Sequence, residues 1–130
     1  MLPRNWRIVV ENRTTVTSGA VSVRVRRKKI ASDLSITYDA EATVFSAASI
    51  TNGTFDTAGS TAQDNSGGAA SWQSMDWIIS VANGTAAGDY AVWLQASTDG
   101  GTTWPTNGES ELLDVINVAA STTELRSGSY

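Results

Sequence analysis

Apolar and polar positions alternate with a period of two along almost the whole chain, which predicts strands rather than helices. In "WRIVVENR" Trp6, Ile8 and Val10 fall on one side. In "AVSVRVRR" Val21, Val23 and Val25 share one face, with Ser22, Arg24 and Arg26 opposite, as in a half-buried strand whose wet face is basic. "LSITYD" continues the pattern and predicts Leu34, Ile36 and Tyr38 inside. "ATVFSA" reads as a further short strand, and "SITNGTFD" sets Asn52-Gly53 at a hairpin position. "WQSMDWIISVAN" alternates through Met75, Trp77, Ile79 and Val81, Asn83-Gly84 opens a turn, and "DYAVWLQAS" points Tyr90, Val92 and Leu94 inward. "ELLDVINVAA" supplies a last strand, and the tail from residue 121, "STTELRSGSY", reads as frayed.

From Thr57 to Ser71 the run "TAGSTAQDNSGGAAS" is too poor in apolar residues for a core element and predicts a long loop. Loops of that length in compact domains tend to be functional or mobile. About eight short strands separated by turn signals predict an all-β fold. The expected form is a single antiparallel β-sandwich over residues 1–130, jelly-roll-like, with an immunoglobulin-like sandwich as the second choice.

Composition supports a folded chain and narrows its chemistry. Of 130 residues, 41% are hydrophobic and 17% charged, a balance that favours a packed core over disorder. The chain holds no cysteine and no histidine. Disulfides, thiolate nucleophiles, zinc held by thiolates or imidazoles, and imidazole acid–base chemistry are thereby excluded. No apolar run has signal-peptide or membrane-span length, so synthesis in a cytoplasm without a signal peptide is expected, and no membrane partner. The sequons at Asn12, Asn52 and Asn83 read as turn sequences that match by accident.

Charge changes the picture more. Eight of the nine basic residues lie between Arg4 and Lys29, against one acid there, Glu11. The rest of the chain carries Arg126 and the other acids. Such a split suggests a surface that meets one of opposite sign. Arg24, Arg26, Arg27, Lys28 and Lys29 form its densest part and are the candidate docking patch for a protein partner or a second copy. The bland alternative is a solvated strand edge, which Lys protects from aggregation. Nucleic acid is not expected, because the segment lacks interleaved aromatics and any helix or ribbon reading motif.

The stretch "ASTDGGTTWP" carries the one motif of high specificity. Ser97, Asp99, Gly101, Thr103 and Trp104 match the Asp-box spacing, Ser-x-Asp-x-Gly-x-Thr-Trp, of sialidase-like propellers. Its physics is local. The Asp99 carboxylate can accept from backbone donors across the turn, Gly100 and Gly101 permit positive φ, and Trp104 can fold back as a cover. The box occurs once, in a chain too short for a propeller with blades of roughly 40 residues, and the sialidase catalytic set cannot be assembled here. It therefore reads as a structural turn.

A second resemblance is broader. "YAVWLQASTDGGTTWP" followed by an acidic-apolar strand, together with the opening "WRIVVENRTTVTSGAVSVRVRRKK", resembles small structural proteins of tailed bacteriophages. The likeness covers both ends of the chain and skips the loop at 57–71. It implies a virion component without catalytic activity, decorating or cementing the capsid or forming part of the tail. Its partners would be other virion proteins, in a homo-oligomer.

Other chemistry finds less support. Glu109 and Glu111, with Asp114 after them, could pair as glycosidase carboxylates, but no sugar-stacking aromatic accompanies them and a solvated strand end is the simpler reading. Calcium at Asp56, Asp64 or Asp99 lacks EF-hand spacing, no metal site is expected, and no cofactor is implied. Glycine-bearing loops lack a following Gly-Lys, so no phosphate cradle is expected. Trp72, ending the long loop, and Trp93, opposite the inward face of its strand, are the candidate exposed aromatics. They would anchor an interface or, in the alternative reading, stack on a sugar in a host-recognition module of a viral adhesin.

Overall fold

Ten strands make up the regular structure of the computed structural model, which describes residues 1–67, 71–106 and 110–130. They are β1 (Asn5–Asn12), β2 (Val21–Ile30), β3 (Ile36–Tyr38), β4 (Ala42–Ala47) and β5 (Thr54–Asp56). β6 (Gln63–Asp64), β7 (Ser74–Ala82), β8 (Gly88–Ser97), β9 (Glu111–Val118) and β10 (Thr123–Ser129) follow. They form two antiparallel sheets packed face to face, a β-sandwich. One sheet runs β5-β1-β8-β9, with β6 also on β1; the other runs β10-β7-β2-β3, with β4 also on β2. β1 pairs with β8 in one sheet and β2 with β7 in the other.

The faces follow the alternation. Trp6, Ile8, Val10, Val21, Val23, Val25, Met75, Trp77, Ile79, Val81, Tyr90, Val92 and Leu94 are all buried in one cluster between the sheets. In β4 two consecutive residues, Val44 and Phe45, are buried. Its ladder with β2 shifts register between Val23 and Arg24, and that extra residue turns both side chains inward.

Three expectations need correction. Leu34, Ile36 and Tyr38 are exposed, not inside. β3 pairs only with Lys28–Ile30, and β7 begins at Ser74, opposite Lys28, so the β2–β3 hairpin runs past the end of the core. The Asn52-Gly53 turn is no hairpin, since β4 and β5 lie in different sheets; it belongs to an arch between them, with Gly53 at φ +67°. The tail from residue 121 is not frayed. β10 pairs with β7 from Thr123↔Ala82 to Ser129↔Asp76, and the Trp77 ring covers Gly128 so closely that no Cβ fits there. The loop at 57–71 is stitched down, in its described part, by β6 on β1, by a bridge from Ser60 to Phe45, and by Ser60 Oγ donating to the Ile8 carbonyl.

Buried polar groups hold the end of the sandwich remote from that hairpin. Asn12 donates to the Val16 and Ile50 carbonyls at 2.9 Å each and accepts from the Thr14 amide at 2.9 Å. Asn83 donates to Ala86, Val118 and Ala119 carbonyls and accepts from the Tyr90 hydroxyl at 2.8 Å. Each such group, left unpaired, would cost roughly 1–3 kcal/mol, so these asparagines clamp the arches that cross between sheets.

Candidate functional site

The basic cluster is dealt onto both faces of β2 by the strand period. Arg24, Arg26 and Lys28 lie on the outer face, while Arg27 and Lys29 take core-side positions at the margin of the core, Arg27 opposite Met75, the last buried residue at that end of β7. Three of the five meet an acid from elsewhere in the chain. Arg24 pairs with Glu41 at 2.8 Å, Lys28 with Asp76 at 2.7 Å, and Arg27 with Asp39. The hydrogen bond from Lys28, with another from the Ser129 hydroxyl, holds the Asp76 carboxyl below the usual carboxylate range against its partial burial. At Asp39 burial is the largest influence and opposes ionisation, but Arg27 and the Ala40 amide together outweigh it, so that carboxyl also sits low.

Aromatics from other segments complete the cluster. Arg26 lies over the Tyr38 ring at 4.3 Å, and Arg27 and Lys29 lie over Trp72 at 5.5 and 5.1 Å. Among the described residues Arg26 and Lys29 have no ion pair at contact distance, though Arg26 stands across the ladder from Asp76 and its charge helps keep that carboxyl ionised. The charge concentrated along the sequence is thus largely answered within the fold.

What remains unanswered on this hairpin is apolar. Ile30, Ile36 and Tyr38 share its outer face and are about half exposed, and Leu34 at the tip is 82% exposed. The Asp33 carboxylate closes the turn by accepting from the Ser35 amide and hydroxyl, and Leu34 takes φ +67°, a conformation that costs a residue with a Cβ roughly 1–2 kcal/mol. The strand pattern was readable, yet which side chains it exposes was missed. The signal available was Arg27 and Lys29 themselves, because charges at core-facing positions mark where a sheet outruns its core.

Trp72 and Trp93 end up apart. Trp72 is half-buried against the core, its loop fixed by Asn65, whose side chain accepts from the Trp72 amide at 2.7 Å and donates to its carbonyl at 2.9 Å. Trp93 is half-buried on the outer face of the other sheet. Its Nε1–H donates to Glu11 at 3.1 Å, Arg13 lies 5.6 Å over the ring, and Phe55 packs at 6.0 Å.

The Asp-box turn links β8 to β9 and satisfies itself. Asp99 accepts from the Thr103 hydroxyl at 2.6 Å, the Thr103 and Thr102 amides and the Ser97 hydroxyl, while Ser97 Oγ accepts from the Gly101 amide at 2.9 Å. Those donors, the Thr103 hydroxyl first, bring the Asp99 pKa down to about 2. Gly100 and Gly101 take φ +79° and +88°, and Trp104 lies 4.5 Å from the Arg7 guanidinium, itself bonded to Gln95. Beside the turn a cleft of about 520 Å³ is lined by Arg4, Asn5, Asp64, Ser66, Ser97, Thr98 and Gly100, with no aromatic ring among them.

No catalytic set assembles among the described residues. Glu109 lies outside them, Glu111 accepts from the Tyr130 hydroxyl, and Asp114 pairs with Arg126. No group of three metal-ligating side chains occurs among the described residues, and no helix is long and apolar enough to cross a membrane. The chain matches no protein-family model, no curated protein and no solved structure.

Proposed function

We propose that this chain is a non-enzymatic structural protein of a phage particle, decorating or cementing the capsid or forming part of the tail, and that it docks through the β2–β3 hairpin. The observation that carries the docking reading is the apolar run Ile30, Leu34, Ile36 and Tyr38, about half or more exposed at the end of the sandwich, with Arg26 over the Tyr38 ring. The phage assignment is supported by the resemblance of "VENRT…TSG" and "STDGGTTWP" to such virion proteins.

The hairpin refines the docking patch read from the sequence. Arg24, Arg27 and Lys28 are spent on Glu41, Asp39 and Asp76, so they shape the hairpin, and Arg26 and Lys29 rim the apolar strip. Burying such a strip supplies the affinity, and the rim cations steer and orient the encounter. Many equivalent sites on a particle would let modest single contacts hold. The sugar-binding alternative draws no support from the rings, since Trp72 carries Arg27 and Lys29 and Trp93 is engaged by Glu11, Arg13 and Phe55.

Co-sedimentation with purified particles tests this. Leu34→Ser with Ile36→Ser should leave the melting transition in place and remove the protein from the particle fraction. Incorporation at wild-type level would refute hairpin docking, and a wild-type protein absent from particles would refute the virion reading.

A further inference from the structure

The sheet that carries β2 and β7 ends on β10, whose second edge pairs with no other strand among the described residues. The edge is regular: β10 keeps register with β7 over Thr123–Ser129 and contains no proline or bulge, and Thr123 to Ser127 are all exposed. Leu125 is 63% exposed. Long regular edges of this kind are open to pairing with another chain unless something blunts them.

Which backbone groups are free follows from the ladder. Tyr130 and Met75 exchange both hydrogen bonds, and the Asn83 amide donates to the Thr122 carbonyl. In an antiparallel pair the bonded positions alternate, so Glu124, Arg126 and Gly128 turn their N–H and C=O toward β7. Thr123, Leu125 and Ser127 turn theirs outward.

We infer that this edge pairs with the same edge of a second copy of the chain, antiparallel about a two-fold axis at Leu125. The order Glu124-Leu125-Arg126 selects the register. Centring on Leu125 sets Leu125 against its copy and brings each Glu124 opposite the partner's Arg126. Thr123 then meets the partner's Ser127, and the outward groups close about six hydrogen bonds between the chains. Centring on Glu124 or on Arg126 would instead set like charges face to face. Glu124 and Arg126 fall at non-bonded positions, where side chains of paired strands come closest. Arg126 already reaches Asp114 of the facing sheet at 3.2 Å, so its guanidinium is held at this edge. The contact is isologous and closes as a dimer, which leaves both β2–β3 hairpins free. It does not depend on the hairpin reading.

Sedimentation equilibrium over a wide concentration range tests the pairing. The wild type should dimerise, and Glu124→Arg should weaken dimerisation by about tenfold or more, since two attractive cross-strand pairs become two repulsive ones. Glu124→Arg with Arg126→Glu should restore it, because the swap keeps the pairs complementary. Amide exchange at Thr123, Leu125 and Ser127 of the wild type should slow as concentration rises, a readout that needs no variant. A wild type that stays monomeric up to about 1 mM, or a dimer with these amides unprotected, would overturn the inference, as would a dimer indifferent to Glu124→Arg. The Leu34→Ser/Ile36→Ser variant should dimerise normally, and its failure to do so would overturn this interface in favour of one through the hairpin.

Discussion

Gly128→Ala probes how β10 is held. A methyl at residue 128 would stand 2.4 Å from Trp77 Cζ2 and 2.7 Å from Cε2, against an ordinary contact of about 3.5–4.0 Å between carbons. At least one of ring and strand must move by about 1 Å, and Trp77 is a rigid indole, 5% exposed, packed in the core. Overpacking of this kind costs roughly 1–3 kcal/mol. For a chain of 130 residues the unfolding entropy is on the order of 0.27 kcal/mol/K, so a 2 kcal/mol loss lowers the melting temperature by about 7 °C. Urea unfolding followed by tryptophan fluorescence measures it, with Ser127→Ala, at an exposed neighbouring position, as the control. A Gly128→Ala change under about 0.5 kcal/mol would mean that the tail does not lie on Trp77, and the argument for β10 would fail with it.

Two further outcomes follow from single residues. Leu34→Gly should raise monomer stability by about 1 kcal/mol, because glycine accepts φ +67° without strain, while weakening particle binding; loss of stability in a thermal melt would show that the exposed leucine serves the fold instead. Asp99 has a folded pKa below its ordinary 3.8, so the turn's contribution is intact above that pH and is lost as the pH falls toward about 2. The Thr103 amide resonance should therefore titrate with a midpoint near 2, and Asp99→Asn should abolish the step; a midpoint near 3.8 would refute the bonded turn.

The turn around Asp99 was legible because all its partners lie within four residues of it. The hairpin surface was not, because exposure is decided by what lies opposite. Leu34, Ile36 and Tyr38 alternate as well as Val21, Val23 and Val25 do, but the pairing of β3 with Lys28–Ile30 puts Ile36 and Tyr38 on the outer face of the sheet, beside the point where β7 begins. Charge misled for the same reason. A run of five cations looks unpaired along the chain, yet Asp39, Glu41 and Asp76 stand 12, 17 and 48 residues away from their partners and reach them through the pairing of β2 with β3, β4 and β7.

Residue order alone is enough to show that this protein is all β, which faces of its long strands point inward, and that its tightest motif is a turn, since each rests on a period of two or on contacts a few residues long. The tertiary structure alone decided that the polar tail is a strand. "TELRSGS" has little apolar pattern to announce it, and it is held by a backbone ladder to β7 and by a glycine beneath Trp77. It likewise decided where the core stops and that β10 lies at a sheet edge, because both depend on how strands from distant segments pair, a relation that no local pattern encodes.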